Sequence, residues 1–303
     1  MKTIKSGRGA SRLLVSLLMA AAITPAVTLG WGSARAGAEA PLSGFYLDLG
    51  ASASVGFQPT ASFPHGQPTT DGYANDVVAY EAARGVTLDL TELGCPGETT
   101  TTMINGADHC YHDDGSQLAD AMAFLRAHDG EEGIVTIDLG FNDLRGCLHL
   151  GSARRPVCVD ARMDILQEQL PYILQSLQGV AGAGVSFVGV GFDDPYLADA
   201  ITGRSGELFA SHSETAMDQL NGALSTIYSE ANIPMATVSS FFDVHDRSRV
   251  NLEGVGTVPN NVANACELTW MCAPKPYGPN MHPNNAGYLK IASAIESELR
   301  APW

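Results

Sequence analysis

Positive charge is scarce in this chain: 17 Lys and Arg stand against 33 Asp and Glu in 303 residues. Five of the 17 fall within residues 1–36, which hold no acid, so 12 basic side chains face 33 acidic ones over residues 37–303. A surface of that sign repels phosphate backbones and anionic lipid, which argues against nucleic acid as a partner. Long apolar runs are missing after residue 36. None approaches the roughly 20 residues that a helix needs to cross a bilayer, so no stable membrane span is expected. Internal repeats, low-complexity tracts and interdomain linkers are missing too, which favours one large domain.

What is present begins at the N-terminus. Lys2, Lys5, Arg8 and Arg12 precede the apolar "LLVSLLMAAAITPAVTLG", and "ARA" ends at Ala36. This is the pattern of a cleaved export signal, residues 1–36, and predicts a secreted protein. Pro25 and the small-residue exit argue against a membrane anchor. The remaining 267 residues, 37–303, suit a single domain with a substantial core. They contain all six cysteines: Cys95, Cys110, Cys147, Cys158, Cys266 and Cys272. An even number in an exported chain favours disulfides, although sequence alone does not choose the connectivity. Neighbour pairing, 95–110, 147–158 and 266–272, is the expectation because each pair brackets a polar, loop-like stretch. A loop the size of the first contributes about 3 kcal/mol in the chain-entropy account.

Apolar, β-rich runs predict strands at 45–50, 86–93, 134–140, 185–191 and 235–240. Helical spacing links Leu166, Leu170, Ile173, Leu174 and Leu177, with a kink expected at Pro171. It also links Met217, Leu220, Leu224, Ile227, Tyr228 and Ala231, and finally Tyr288, Ile291, Ala292, Ile295 and Leu299. Strand–helix alternation predicts an α/β fold with a central parallel sheet covered on both faces. Ligands then bind beyond the carboxyl ends of the strands. Residues 241–281 read as a long irregular stretch folded over the site.

Those strand ends carry the candidate chemistry. "LDLGASASVG" places Ser52 just after the first strand, and "ELGCPGETTTTM" places Gly97 in a turn after the second. "IDLGFNDL" places Asn142 after the third, and His282 precedes the last helix in "GPNMHPNNAGY". A serine, two potential oxyanion donors and a histidine would thus meet in one crevice.

With these blocks in this order, the sequence resembles the GDSL, or SGNH, hydrolases over nearly all of residues 37–303. Gly50-Ala51-Ser52 stands where the family has Gly-Asp-Ser, Gly97 matches the second block, Gly140-Phe141-Asn142-Asp143 the third, and His282-Pro283 the last. The resemblance implies a three-layer α/β/α sandwich, the flavodoxin-like SGNH hydrolase fold, and serine-dependent ester hydrolysis. It assigns Ser52 as nucleophile and His282 as general base. The Ser52 and Gly97 N–H groups and the Asn142 side chain become the oxyanion hole.

Two positions depart from the pattern. Ala51 replaces the aspartate beside the nucleophile, a loss of local support that loosens the turn. Asn280 and Pro279 stand where relatives place an aspartate to steady the histidine. In serine proteases, changing that acid to its amide costs about 10⁴ in rate, largely through the wrong tautomer. An acceptor for Nδ1–H is the essential requirement. The carbonyl of Pro279 or Asn280, or the Asn280 side-chain oxygen, would supply it in a Ser52–His282 dyad.

Other motifs carry less. "DHCYHDD" (108–114) loses its strongest metal ligand if Cys110 is disulfide-bonded, so a solvated loop is expected and no metal. "VGVGFDDP" lacks the third glycine of a dinucleotide site, and Asp193 and Asp194 read as loop or helix-capping acids. No cofactor is expected. Three function classes stay open: a secreted esterase or lipase acting on small-molecule, lipid or polymeric esters, an acyltransferase of the same fold, and a catalytically degenerate binding protein. Phe141, Phe241, Phe242, Trp270, Met271 and Tyr277 are candidates for the pocket wall, although most of them equally suit a small core under a loop. Natural ester and oligomeric state are not legible.

Overall fold

The computed structural model describes residues 42–106, 110–111 and 115–299. The export signal expected at 1–36 and most of the 108–114 cluster lie outside the described residues.

Five strands, β1 (Leu42–Gly50), β2 (Val86–Glu92), β3 (Gly133–Asp138), β4 (Val185–Val190) and β5 (Met235–Ala236), form one parallel sheet in the order β2-β1-β3-β4-β5. The helices are α1 (Tyr73–Ala83), α2 (Thr100–Asn105), α3 (Gln117–Ala127), α4 (Phe141–Leu148), α5 (Arg155–Gln178), α6 (Arg204–Glu230), α7 (Val238–Phe241), α8 (Asn260–Leu268) and α9 (Asn285–Glu298). Successive strand residues point to opposite faces, so each strand feeds two cores. Phe45, Leu47, Leu49, Val135 and Ile137 pack with α3, α5 and α6, chiefly through Leu125, Leu166, Leu170 and Leu220. Tyr46 and Ile134 pack with Tyr73 and Val77 of α1 and Ile291 and Ile295 of α9. The result is the expected α/β/α arrangement, with helix layers on both faces of a parallel sheet.

The order of strands places a topological switch between β1 and β3, whose outgoing chains turn to opposite sides and leave a crevice. Ser52 follows β1 and Asn142 follows β3, so both chains deliver their candidate residues to its mouth.

Local chemistry accounts for several boundaries. Asn284 starts α9 by accepting from the Ala286 and Gly287 N–H groups (3.0 and 3.1 Å). α5 runs from Arg155 to Gln178 through Pro171, longer than the periodic leucines suggest. β5 is shorter than expected: Thr237 turns away from the sheet, and α7 occupies 238–241. The stretch 241–281 is also not irregular. It contains a hairpin of β6 (Arg249–Leu252) and β7 (Gly256–Pro259), then α8, and β8 (Thr269–Trp270) paired with β9 (Asn280–Pro283). Gly254 and Gly256, both at positive φ, make the tight connection of that hairpin, a signal present in "EGVG". Phe242, Val244, Leu252, Ala263 and Ala265 bury this segment in the α1–α9 core rather than over the crevice.

Disulfides join Cys95 to Cys110, Cys147 to Cys158 and Cys266 to Cys272. Among the described residues, no helix is long and apolar enough to cross a membrane.

Candidate active site

Ser52 sits on a tight turn held from three sides. Gly50 ends β1 at φ +135°, where a side chain is strained and a Cβ would overlap Asp138. The Gln117 side chain extends the sheet at this point: Oε1 accepts from Gly50 N–H (2.7 Å) and Nε2 donates to the Gly50 carbonyl (2.9 Å). The turn closes through Phe57 N–H to the Ser52 carbonyl (3.0 Å) and the Ser54 hydroxyl to the Ala51 carbonyl (2.8 Å). The Asp138 carboxyl accepts the Ala51 N–H. Ala51 therefore does not leave the turn loose, because a carboxyl from β3 supports it.

Across the crevice, β9 presents His282, with Nε2 at 3.0 Å from Ser52 Oγ and Nδ1 at 2.6 Å from Asn280 Oδ1. The orientation of the amide follows from its partners. Asn280 Nδ2 donates to the His65 carbonyl (3.2 Å), and Oδ1 also accepts the His282 backbone N–H (3.1 Å). Oxygen therefore faces the ring, and an amide oxygen only accepts, so the proton belongs on Nδ1 and the Nε2 lone pair faces the serine hydroxyl. Of the acceptors considered from sequence, the structure brings up the Asn280 side chain and not the Pro279 carbonyl. The Phe57 ring, 4.7 Å away by centroid, covers the imidazole. Burial, with a smaller contribution from the Arg145 cation, lowers the pKa of His282 to about 4. The ring is neutral at neutral pH and able to accept a proton.

Asn142 opens α4, and its Nδ2 donates to the Glu98 carbonyl (3.1 Å). The next residue, Asp143, accepts the Thr100 N–H (3.2 Å) and the Thr100 hydroxyl (2.7 Å). The Asn142-Asp143 pair thus ties α4 to the turn containing Gly97, which is exposed at φ +91°. Cys95–Cys110 anchors the same turn, and Cys147–Cys158 ties the end of α4 to α5.

Ser52, Asn142 and His282 line one cleft, open to solvent. Phe141, Phe192, Pro195 and Met281 add apolar walls, and Tyr73, Asp138 and Asp193 line it as well. Among the pocket-wall candidates from sequence, Phe141 lies in the wall. Phe241, Phe242, Trp270, Met271 and Tyr277 do not: Phe242 is buried in the α1–α9 core, and Trp270 Nε1 donates to Gln58 Oε1 (3.2 Å) beside Tyr277. From 241–281, only Met281 reaches the cleft.

Two groups of residues escaped the sequence reading. Asp48 and Asp138 interrupt apolar strands, and a buried acid in such a run is itself a signal. Asp48 accepts from the Tyr73 hydroxyl (2.8 Å) and the Thr136 hydroxyl (2.6 Å). Burial pushes Asp138 up to about 8 and Asp193 up to about 7. Asp194, read as a capping acid, starts the 3-10 helix Pro195–Thr202 through the Tyr196 N–H (3.1 Å) and accepts from the Ser213 hydroxyl (2.8 Å). Arg145 and Asn280's anchor at His65 had no signal in the sequence, since both depend on tertiary neighbours.

No protein-family model and no curated protein matches the sequence. Solved structures do. A phospholipase A1 from Streptomyces albidoflavus NA297 is 17% identical, with 84% of this chain and 99% of that one covered and a TM-score of 0.56. An extracellular lipase from Streptomyces rimosus is 18% identical over 84% and 100% of the two chains, at a TM-score of 0.54. The lipase Lip_vut3 from a goat rumen metagenome is 13% identical over 84% and 96%, also at 0.54. At these identities the likeness is one of architecture, and the chain has the fold of these lipolytic enzymes.

Proposed function

We propose that this chain is a carboxylic-ester hydrolase of the GDSL/SGNH type, working through an acyl-serine and a Ser52–His282 dyad. The observation that carries this reading is the relay itself: Ser52 Oγ, His282 Nε2, His282 Nδ1 and Asn280 Oδ1 in line at 3.0 and 2.6 Å.

In this mechanism His282 Nε2 takes the Ser52 proton as Oγ attacks the ester carbonyl. Negative charge develops on the carbonyl oxygen and is held by the Ser52 and Gly97 N–H groups and the Asn142 amide. Collapse leaves the acyl group on Ser52, and His282 returns the proton to the departing alcohol. Water repeats the sequence in reverse roles and frees the acid. Asn280 orients the ring without the charge that an aspartate would lend to the imidazolium.

The cleft walls at Phe141, Phe192, Pro195 and Met281 suit an acyl chain or aromatic group. The basic-apolar-"ARA" N-terminus and three disulfides support export with cleavage after Ala36. The test compares the parent with Ser52→Ala on a short p-nitrophenyl ester at neutral pH, both shown folded by circular dichroism. The reading requires turnover by the parent and its loss in the variant. Equal rates remove Ser52 as nucleophile, and exclusive formation of a transfer product with added alcohol replaces hydrolysis by acyl transfer.

A further inference from the structure

The turn that carries Ser52 has an uneven distribution of partners. In the parallel register Gly50 lies opposite Asp138, which brings the Asp138 carboxyl directly under the turn. Its Oδ1 takes the Ala51 N–H, the backbone donor immediately before the nucleophile. The next donor along the chain, the Ser52 N–H, has no acceptor among the described residues. One side chain thus fixes the backbone donor immediately before the nucleophile and leaves the nucleophile's own donor unengaged. A free N–H held in place by the bonded Ala51 N–H beside it is what an oxyanion donor requires, because no reorganisation is then needed during the reaction.

We propose that Asp138 is the positioning residue of the Ser52 turn, and that it works as an uncharged carboxyl. The proposal rests on the hydrolase reading above. Two arguments lead to the uncharged form. An ionised carboxylate beside the Ser52 N–H would oppose the negative charge forming on the substrate oxygen, and at such range in a buried site that repulsion is large. A neutral carboxyl still accepts N–H groups through its carbonyl oxygen, so it supports the turn without the opposing charge.

The surroundings select this form. The charged and titratable groups facing Asp138 are Asp48 from β1 and the phenols of Tyr73 from α1, Tyr228 from α6 and Tyr288 from α9. Asp193 and His282 line the same cleft. The one base among them, His282, is itself neutral above about pH 4. Burial therefore pushes Asp138 up to about 8, and its second oxygen is buried without a partner, a poor place for charge.

The consequence is an alkaline limit on activity set beneath the nucleophile. As pH rises through about 8, Asp138 ionises and kcat falls, while KM for a neutral ester stays nearly constant.

The experiment measures kcat and KM from pH 4 to 10 on a short neutral ester for the parent, Asp138→Asn and Asp138→Ala. Folding is checked at each pH. The amide keeps an acceptor oxygen and cannot ionise, so Asp138→Asn should stay within about threefold of the parent at pH 7 and lose the alkaline fall. Asp138→Ala should lose roughly a hundredfold in kcat, as for removal of one oxyanion donor. Asp138→Asn as inactive as Asp138→Ala, or an unchanged alkaline limb in Asp138→Asn, overturns the proposal. So does an Asp138→Ala enzyme with full kcat. A carboxyl carbon-13 NMR titration, assigned by the signal missing in Asp138→Asn, reads the charge state whether or not the protein turns over ester. A midpoint near 8 is expected, and one below 5 overturns the proposal. Failure of the hydrolase reading shows separately, as parent activity that survives Ser52→Ala.

Discussion

Asn280 Oδ1 lies 2.6 Å from His282 Nδ1, and the amide is locked in that sense by the His65 carbonyl on its other side. In the proposed dyad an asparagine here does what an aspartate does for geometry and nothing of what it does for charge. The cost seen when a protease triad acid becomes an amide arises largely from the wrong tautomer. Here the amide oxygen holds the proton on Nδ1 and leaves the Nε2 lone pair facing Ser52.

Replacing Asn280 therefore separates orientation from charge. Asn280→Ala removes the acceptor of Nδ1–H, and kcat/KM should fall by roughly a hundredfold or more, up to the ~10⁴ of a misoriented histidine. Asn280→Asp keeps an acceptor and adds a charge, which moves the acid limb of the pH profile upward from about 4. Steady-state pH profiles of the two variants check both outcomes.

Arg145 acts on the same base from the opposite sign. Its cation adds to burial in lowering the pKa of His282. Arg145→Gln removes that contribution, so His282 gains proton affinity and the acid limb shifts to higher pH. Activity at pH 7 is nearly unchanged, and activity near pH 4 falls. A kcat/KM profile between pH 3 and 7 measures the shift.

Asn142→Ala should lower kcat about a hundred- to a thousandfold. Its bond to the Glu98 carbonyl adds a stability cost of about 1 kcal/mol. Denaturant unfolding beside the kinetics distinguishes this from a purely structural asparagine, for which stability would fall and kcat would hold.

Stability should decline from mildly acidic to alkaline pH. Burial holds Asp138 and Asp194 at about 8 and Asp193 at about 7 in the folded protein, against an ordinary 3.8. Glu296 is raised to about 8 by burial and by Glu81. Groups raised by folding stabilise fully below their unfolded value, and that contribution is lost as pH climbs through the folded one. His282 works in the opposite sense, but only between about 4 and 6.5. Tm should therefore be higher at pH 6 than at pH 9, as read by calorimetry.

That Ser52, Asn142 and His282 lie together was legible because the first two sit at strand ends. The apolar runs before Ser52 and Asn142 announce strands, and parallel topology brings those ends together. The cysteine pairs joined as neighbours for the reason the spacing suggested, each closing a short loop. The course of 241–281 was not legible: a hairpin, α8 and the β8–β9 pair are too short to give a period, and their burial comes from α9 and the 3-10 helix. Support for the Ser52 turn was misjudged from Ala51 because sequence shows only the neighbour in the chain. The carboxyl under that turn comes from Asp138, 87 residues away along the chain and adjacent in the sheet.

The central claim is that Ser52 and His282 form a working pair without an acid. Its most direct test is mass spectrometry of the protein quenched during turnover of a p-nitrophenyl ester, followed by peptide mapping. The account predicts one acyl adduct, on the peptide containing Ser52, formed at least a hundredfold more slowly in His282→Ala, the scale of general-base catalysis. An adduct on another residue, or one on Ser52 that forms equally fast without His282, would contradict it.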